Sequence, residues 1–174
     1  SKQFEGLTHY LSSTFLGTTK NRVYSTLIRD MNKLGVDIST SSNREHFIIS
    51  ATTSSKHINP VLGALADVIN GRIWPQHELM GQTNDYIHNV LQPLRANNYI
   101  QLTELLHKSA FGGVSLGSSI YGLNNLHLLS NINEDILQTW CNTFLTTNRM
   151  SITASNVNHS TFSQLFQEMS HRKL

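Results

Sequence analysis

Charged side chains are scarce in this chain of 174 residues, because Asp, Glu, Lys and Arg together make up only 14% of it. An average soluble domain carries roughly 25% charged residues. A surface with so few charges favours a subunit that partners cover, since a free monomer gains solubility from net charge and interspersed ions. With a net charge of +2 and no long run of Lys or Arg, the chain also lacks the basic surface typical of nucleic-acid binding.

Cysteine and long apolar runs are lacking as well. Cys141 is the single cysteine, which excludes an internal disulfide and a zinc cluster built from thiolates. No apolar run approaches the ~20 residues that a membrane-spanning helix needs. Nine histidines are present, but no two of them lie four residues apart on a predicted helix. His77 and His88 share a helix face yet stand about three turns apart, too far to bind one ion together.

Apolar side chains recur at helical spacing along most of the chain. The strongest pattern runs from Tyr24 to Leu34 and ends at Gly35, the residue type most common after a helix. Alternation predicts a hairpin around the polar turn Ser42–Arg44 and a further strand at Met150–Ala154. Arg44 and Glu45 at this turn are expected to form an ion pair or to stabilise the turn. Other helices are predicted at residues 7–15, 59–71, 75–93, 100–111, 136–144 and 162–169, with Pro93 kinking or stopping the third of these.

The stretch His9–Ser13 has the spacing of a metal-binding motif. In the H-x-x-E-H motif of peptidases, two helical histidines bind zinc and the glutamate acts as general base. His9 matches the first histidine, but Ser12 stands at the glutamate position and Ser13 at the second histidine. A hydroxyl is a poor zinc ligand and cannot replace the glutamate as a base. Ser12 also lacks a His and an Asp at a spacing that would favour a serine nucleophile.

Several segments, in the same order along the chain, resemble the pitrilysin/insulinase-type zinc peptidases. Within that superfamily the mitochondrial branch is the most similar: the processing peptidase subunits and the two core proteins of ubiquinol–cytochrome c reductase (complex III). The later segments, together with Thr18-Thr19-Lys20, are most similar to the core protein 2 type. The segments that carry the resemblance are Gly6–Leu11, Leu16–Lys20, the helix into Leu34–Val36, Ser42–Glu45, Glu104–Phe111, Leu116–Tyr121, Asn148–Ile152 and Val157–His159.

This resemblance implies where a third zinc ligand would stand. Active relatives carry a glutamate on a helix roughly 75 residues after the motif. Asn89 lies near that place in this chain, and no carboxylate occurs between Asp85 and Glu104. An amide oxygen is a weak zinc ligand without the charge of a carboxylate. We therefore expect no catalytic residue, metal or cofactor, and regard His9, Ser12, Ser13 and Asn89 as a degenerate site.

The resemblance also implies a fold and a function. We expect an α+β fold: one processing-peptidase-like module over residues 1–174, with a mixed, mostly antiparallel sheet, about six or seven helices, and the opening strands of the module missing. Such a module is about half of a full-length core protein.

The first functional hypothesis is a non-catalytic, core-protein-2-like structural subunit of complex III. It would lie peripherally on the matrix side of the mitochondrial inner membrane, beside a core-protein-1-like subunit and other complex III subunits. The alternative is a non-catalytic alpha-type subunit of the mitochondrial processing peptidase, which binds presequences while a beta-type partner cuts them.

Overall fold

The computed structural model describes residues 5–123 and 131–170, in which the chain is mainly helical with one β-hairpin. The predicted α+β fold is confirmed. The strands are β1 (Asp37–Ser42) and β2 (Phe47–Thr52), and a π-helix (Tyr86–Leu91) links two of the α-helices. His127 and His171 lie outside the described residues. The α-helices are α1 (Leu7–Thr14), α2 (Tyr24–Lys33), α3 (Ile58–Gly71), α4 (Gln76–Asp85), α5 (Gln92–Ala96), α6 (Asn98–Ala110), α7 (Glu134–Phe144) and α8 (His159–Ser170).

Two compact units share these elements. The first consists of Ser1–Phe15, Thr40–Ile49 and Pro75–Ile136, and the second of Leu16–Ser39, Ser50–Trp74 and Leu137–Leu174. Each unit has its own buried apolar side chains. Those of the first are Leu7, Tyr10, Leu11, Phe15, Leu79, Tyr86, Leu91 and Leu123; those of the second are Leu27, Met31, Val61, Ala64, Val68, Trp74, Leu137, Trp140 and Cys141. That the chain forms a single processing-peptidase-like module stays a prediction.

Helix α1 begins where two glycines come into close contact. Gly6 has a φ of 78° and Gly122 a φ of 61°, a left-handed conformation that side chains other than that of glycine rarely adopt. A Cβ atom added to Gly6 would lie 2.8 Å from backbone atoms of Gly122, so neither position has room for a larger residue. This approach holds Tyr121, the neighbour of Gly122, beside the first turns of α1.

The hairpin turn is stabilised by its first residue. The backbone N–H of Asn43 donates to the carbonyl oxygen of His46 at 3.0 Å. The Asn43 side-chain oxygen accepts from the backbone N–H groups of Glu45 (2.8 Å) and His46 (2.7 Å). Asparagine favours turns because its side chain can bond to the backbone two or three residues later.

Arg44 at this turn pairs with a residue of α6 and not with its neighbour Glu45. Its guanidinium lies 2.6 Å from the Glu104 carboxylate, and the two side chains are only 11% and 12% exposed. Arg44 also donates to the carbonyl oxygens of Leu116 at 2.9 Å and Ser118 at 2.5 Å. Arg44 thus takes part in an ion pair, as expected, but its partner is Glu104, sixty residues away in the sequence, and not Glu45.

The helix predicted from residue 75 continues past Pro93. α4, the π-helix and α5 follow one another from Gln76 to Ala96, and Pro93 lies in the first turn of α5. Proline has no backbone N–H to donate, and Pro93 follows directly after the π-helix, where the hydrogen-bonding pattern of the helix changes. Within the π-helix, Tyr86 is buried at 2% exposure and Asn89 is exposed.

The strand predicted at Met150–Ala154 is wrong. These residues have no regular secondary structure, and the one sheet of the described residues is the β1–β2 hairpin. Alternating side chains make a strand only where a neighbouring strand supplies hydrogen bonds and a surface to pack on. No helix in the described part of the chain has both the length and the hydropathy needed to cross a membrane.

Candidate functional site

The ring of His9 lies half-buried between two tyrosines of the first unit. Its Nδ1 atom is 2.7 Å from the Tyr86 hydroxyl. The ring centroids of His9 and Tyr121 are 4.8 Å apart, and the two planes are close to perpendicular at 78°. Tyr86 comes from the π-helix and Tyr121 from the segment beside Gly6, so three distant stretches of sequence meet at His9. Neither tyrosine was predicted from the sequence as part of the site.

Burial keeps both members of the His9–Tyr86 pair neutral. It lowers the pKa of the His9 imidazole below its usual 6.5. Burial, helped by the neighbouring Tyr121 and Tyr10, raises the pKa of the Tyr86 phenol above its usual 10.0. Either the phenol O–H donates to Nδ1 or the Nδ1–H donates to the phenol oxygen, according to the imidazole tautomer. A metal ion could reach Nδ1 only by displacing this hydrogen bond.

The hydroxyls of Ser12 and Ser13 bond to the backbone of their own helix. Both donate to the carbonyl oxygen of His9, Ser12 at 2.8 Å and Ser13 at 3.2 Å. The Ser12 Oγ atom also lies 3.2 Å from Oγ of Ser42, and the Thr40 hydroxyl donates to the Ser12 carbonyl oxygen. These bonds attach α1 to the hairpin residues of the same unit. Both hydroxyls therefore contribute to the local structure of α1.

Asn89, the predicted third position of the site, is exposed on the π-helix. The residue of this π-helix that reaches His9 is Tyr86, three positions earlier. A π-helix changes the angular position of each following side chain, so spacing counted along a regular helix does not identify which residue faces a distant site. The structure therefore brings His9, Ser12 and Ser13 together on α1, with Tyr86 as the recorded partner of the His9 ring.

Other histidines make hydrogen bonds away from this site. The Nδ1 atom of His57 is 3.2 Å from the carbonyl oxygen of Leu34, and that of His88 is 3.2 Å from the side-chain nitrogen of Gln92. In residues 5–123 and 131–170, no three side chains of His, Cys, Asp or Glu are grouped so that they could hold a metal ion.

Curated proteins similar to this chain are alpha subunits of mitochondrial processing peptidases. The mitochondrial-processing peptidase subunit alpha of Neurospora crassa is 27% identical over 154 residues, which cover 88% of this chain and 26% of that protein. The corresponding protein of Solanum tuberosum is 23% identical over 157 residues, covering 90% of this chain and 30% of that protein. The subunit alpha-1 of Dictyostelium discoideum is 28% identical over 120 residues, or 69% and 18% of the two chains. The chain thus spans less than a third of the length of these relatives.

The chain is similar to a solved structure and matches a known protein family. The crystal structure of a conserved protein from Enterococcus faecalis V583 superposes with a TM-score of 0.72 at 11% identity, over 97% of this chain and 44% of that one. This similarity concerns the fold alone. Residues 1–123, more than two thirds of the chain, match the model of the family described as insulinase (peptidase family M16). The chain belongs to the insulinase family of peptidases, family M16.

Proposed function

We propose that this chain is a non-catalytic, alpha-type module of a mitochondrial processing peptidase. The observation that carries the non-catalytic part is the hydrogen bonding of Ser12 and Ser13, which stand at the glutamate and second-histidine positions of the motif and both bond to the His9 carbonyl. The alpha-type part is supported by the alpha subunits that the chain is similar to. Those relatives favour this function over the complex III subunit of the first hypothesis.

The donor set on α1 does not suit the zinc of family M16. A catalytic zinc ion takes three protein ligands, chosen from imidazole, thiolate and carboxylate, and keeps one open position. This chain offers a single imidazole at His9, two hydroxyls bonded to backbone, and an exposed amide at Asn89. No group here is placed to deprotonate a water molecule, so no step of peptide hydrolysis is assigned to the chain.

The module would bind presequences while a beta-type partner cuts them. Mitochondrial presequences are amphipathic and rich in arginine. A chain with only 14% charged residues supports the view that much of its surface lies against another protein. On this proposal the protein works in the mitochondrial matrix, and it needs neither a metal nor an organic cofactor of its own.

The test is reconstitution with a beta-type subunit and a fluorogenic presequence peptide. We expect the rate of peptide cleavage to rise at least about tenfold over that of the beta-type subunit alone. The reason is tighter binding of the presequence, and a few contacts provide a gain of this order. The variant Ser12→Ala/Ser13→Ala should retain this gain, because neither hydroxyl takes part in the reaction. A beta-type subunit whose motif glutamate is replaced by glutamine supplies the inactive control. No gain in cleavage would contradict the proposal.

A core-protein-2-like role in complex III is the second candidate. The observation that favours it is the resemblance of Glu104–Phe111, Leu116–Tyr121 and Thr18–Lys20 to that type of protein. In this role the chain would contact a core-protein-1-like subunit at the matrix side of the inner membrane. Blue-native electrophoresis of mitochondria discriminates the two: comigration with ubiquinol–cytochrome c reductase activity supports complex III, and its absence from that band rejects it.

A further inference from the structure

Helix α6 exposes its apolar side and packs with its polar side. No residue of α6 is fully buried. Tyr99 is 77% exposed, Leu102 65%, Leu105 58% and Leu106 67%, whereas the side chain of Glu104 is only 12% exposed. Residues three and four apart share one face of a helix, so Tyr99, Leu102 and Leu106 form a stripe. A surface helix of a globular protein normally packs its apolar face against the core.

Two more large apolar side chains follow directly after this helix. Phe111 is 46% exposed and Val114 66% exposed. Single exposed apolar residues are common on protein surfaces, but six within sixteen residues mark a site of interaction. We call these six residues the α6 surface: Tyr99, Leu102, Leu105, Leu106, Phe111 and Val114.

The buried ion pair holds α6 in this orientation. Glu104 accepts from Arg44 at 2.6 Å and from the backbone N–H of Ile120 at 3.2 Å. Arg44 also bonds to the carbonyl oxygens of Leu116 and Ser118. Turning the apolar stripe inward would separate Arg44 from Glu104 and leave their charges either exposed or buried without a partner. The α6 surface is therefore fixed before any partner arrives, which lowers the entropy lost on binding.

The exposed charged side chains of the segment that carries the α6 surface are positive. Between residues 92 and 123 the charged side chains are Arg95, Glu104 and Lys108. Arg95 and Lys108 are exposed, while the single carboxylate is covered and paired with Arg44. A complementary partner therefore carries carboxylates beside its apolar residues. A presequence, rich in arginine, would be repelled, so this surface is separate from the presequence binding proposed above.

We propose that the α6 surface docks an amphipathic protein helix whose apolar stripe is flanked by Asp and Glu. The exposed stripe runs along α6, a helix of 13 residues. A partner helix of similar length would cover the stripe if it lay along the axis of α6. An anionic membrane fits less well, because such surfaces are recognised by clusters of roughly 4–8 basic residues. Between residues 92 and 123, the exposed basic side chains are Arg95 and Lys108, fewer than such a cluster needs.

The test uses two synthetic helical peptides of ~18 residues, long enough to form a helix against a surface. Both have leucines at helical spacing; one has glutamates flanking the stripe, and the other has lysines at the same positions. Fluorescence anisotropy should show that the acidic peptide binds at least ~10-fold more tightly, with a preference that weakens at high salt. Arg95→Glu/Lys108→Glu should reverse this preference.

A matched pair of variants locates the binding. Leu102→Gln/Leu106→Gln should weaken binding of the acidic peptide by ~10-fold or more. Met80→Gln, at a residue 61% exposed on α4, should leave it unchanged. Since all three side chains are mostly exposed, circular dichroism should show the wild-type fold in each variant.

Several results would overturn the proposal. Equal binding of the two peptides would show that charge does not determine binding. Unchanged binding of the acidic peptide to Leu102→Gln/Leu106→Gln would show that the contact lies elsewhere. Dimerisation of the wild type that this double variant abolishes would assign the surface to a second copy of the chain. Tighter binding to phosphatidylserine vesicles than to the acidic peptide would assign it to a membrane.

Discussion

Ser12 and Ser13 have short side chains, which stay close to the backbone of α1. Each hydroxyl turns back to the carbonyl oxygen of His9, three and four residues earlier, which is a common bond for serine inside helices. Glutamate and histidine have longer side chains, with groups that can bind a metal ion or take up a proton from water. The local hydrogen bonds thus agree with the chemistry expected from the residue types.

Removing the Tyr86 hydroxyl should destabilise the protein. Tyr86→Phe leaves Nδ1 of the half-buried His9 without its 2.7 Å partner, and we expect a loss of about 1–2 kcal/mol in the free energy of unfolding. Urea denaturation measures it. Tyr99→Phe is the control, because that residue is 77% exposed and its hydroxyl is in water. Equal losses in the two variants would contradict a stabilising His9–Tyr86 bond.

Stability should also fall as the pH drops below about 6.5, the usual pKa of histidine. Burial lowers the pKa of His9 in the folded state. The unfolded chain therefore takes up a proton that the folded chain does not, so the free energy of unfolding decreases between pH 6.5 and the lower folded pKa.

Urea denaturation at about pH 7.5 and about pH 5.5 tests this dependence. His9→Gln should reduce the loss of stability between the two pH values, since glutamine does not titrate. His46→Gln, at an exposed residue of the hairpin turn, is the matched control and should leave the loss unchanged. A dependence that is identical in His9→Gln and the wild type would rule out His9 as its source.

The sequence predicted part of this site and missed the rest. His9, Ser12 and Ser13 could be singled out because a motif lies within one helix turn, where spacing determines which side chains are neighbours. Tyr86 lies 77 residues from His9, at the first residue of the π-helix, and no local sequence pattern indicates that the two side chains meet. Tyr121 reaches the same ring through the contact of Gly6 with Gly122, two glycines with no motif around them.

At the scale of elements, the Arg44–Glu104 pair joins the hairpin turn to α6 and to the following loop. Glu104→Gln should lower the free energy of unfolding by about 3 kcal/mol, because Arg44 would keep a mostly buried charge without its carboxylate. Asp30→Asn should cost less than about 0.5 kcal/mol. Asp30 pairs with Arg29, but the nitrogen and oxygen of that pair are 4.0 Å apart, and the Arg29 and Asp30 side chains are 65% and 38% exposed. Thermal or urea denaturation compares the two, and similar small losses would contradict a structural role for the Arg44–Glu104 pair.

Helix positions were predictable because the 3.6-residue period is a local property, as α2 (Tyr24–Lys33) shows against its predicted span of Tyr24–Leu34. The period does not say which face of a helix lies inside. In α6 the leucines were recognised as a helical pattern, but Glu104 and Arg44 decide that the leucines face water. The strand expected at Met150–Ala154 failed for a similar reason, since strand formation depends on a partner elsewhere in the chain.

At the scale of the whole molecule, this chain of family M16 has an α1 helix on which the hydroxyls of Ser12 and Ser13 bond to the His9 carbonyl. The family match covers residues 1–123, and helices α7 and α8 lie beyond it. The chain spans less than a third of the processing peptidase alpha subunits that it is similar to. On the proposal made above, the exposed leucines of α6 supply one surface for contact with another protein.

The zinc content of the purified protein tests the central claim, a module without zinc peptidase chemistry, most directly. After incubation with excess zinc and removal of unbound metal by gel filtration, elemental analysis should find less than ~0.1 zinc per chain, since the site lacks the three ligands that a catalytic ion requires. An active M16 peptidase passed through the same steps is the positive control. One zinc per chain in the wild type, lost in His9→Ala, would contradict the claim.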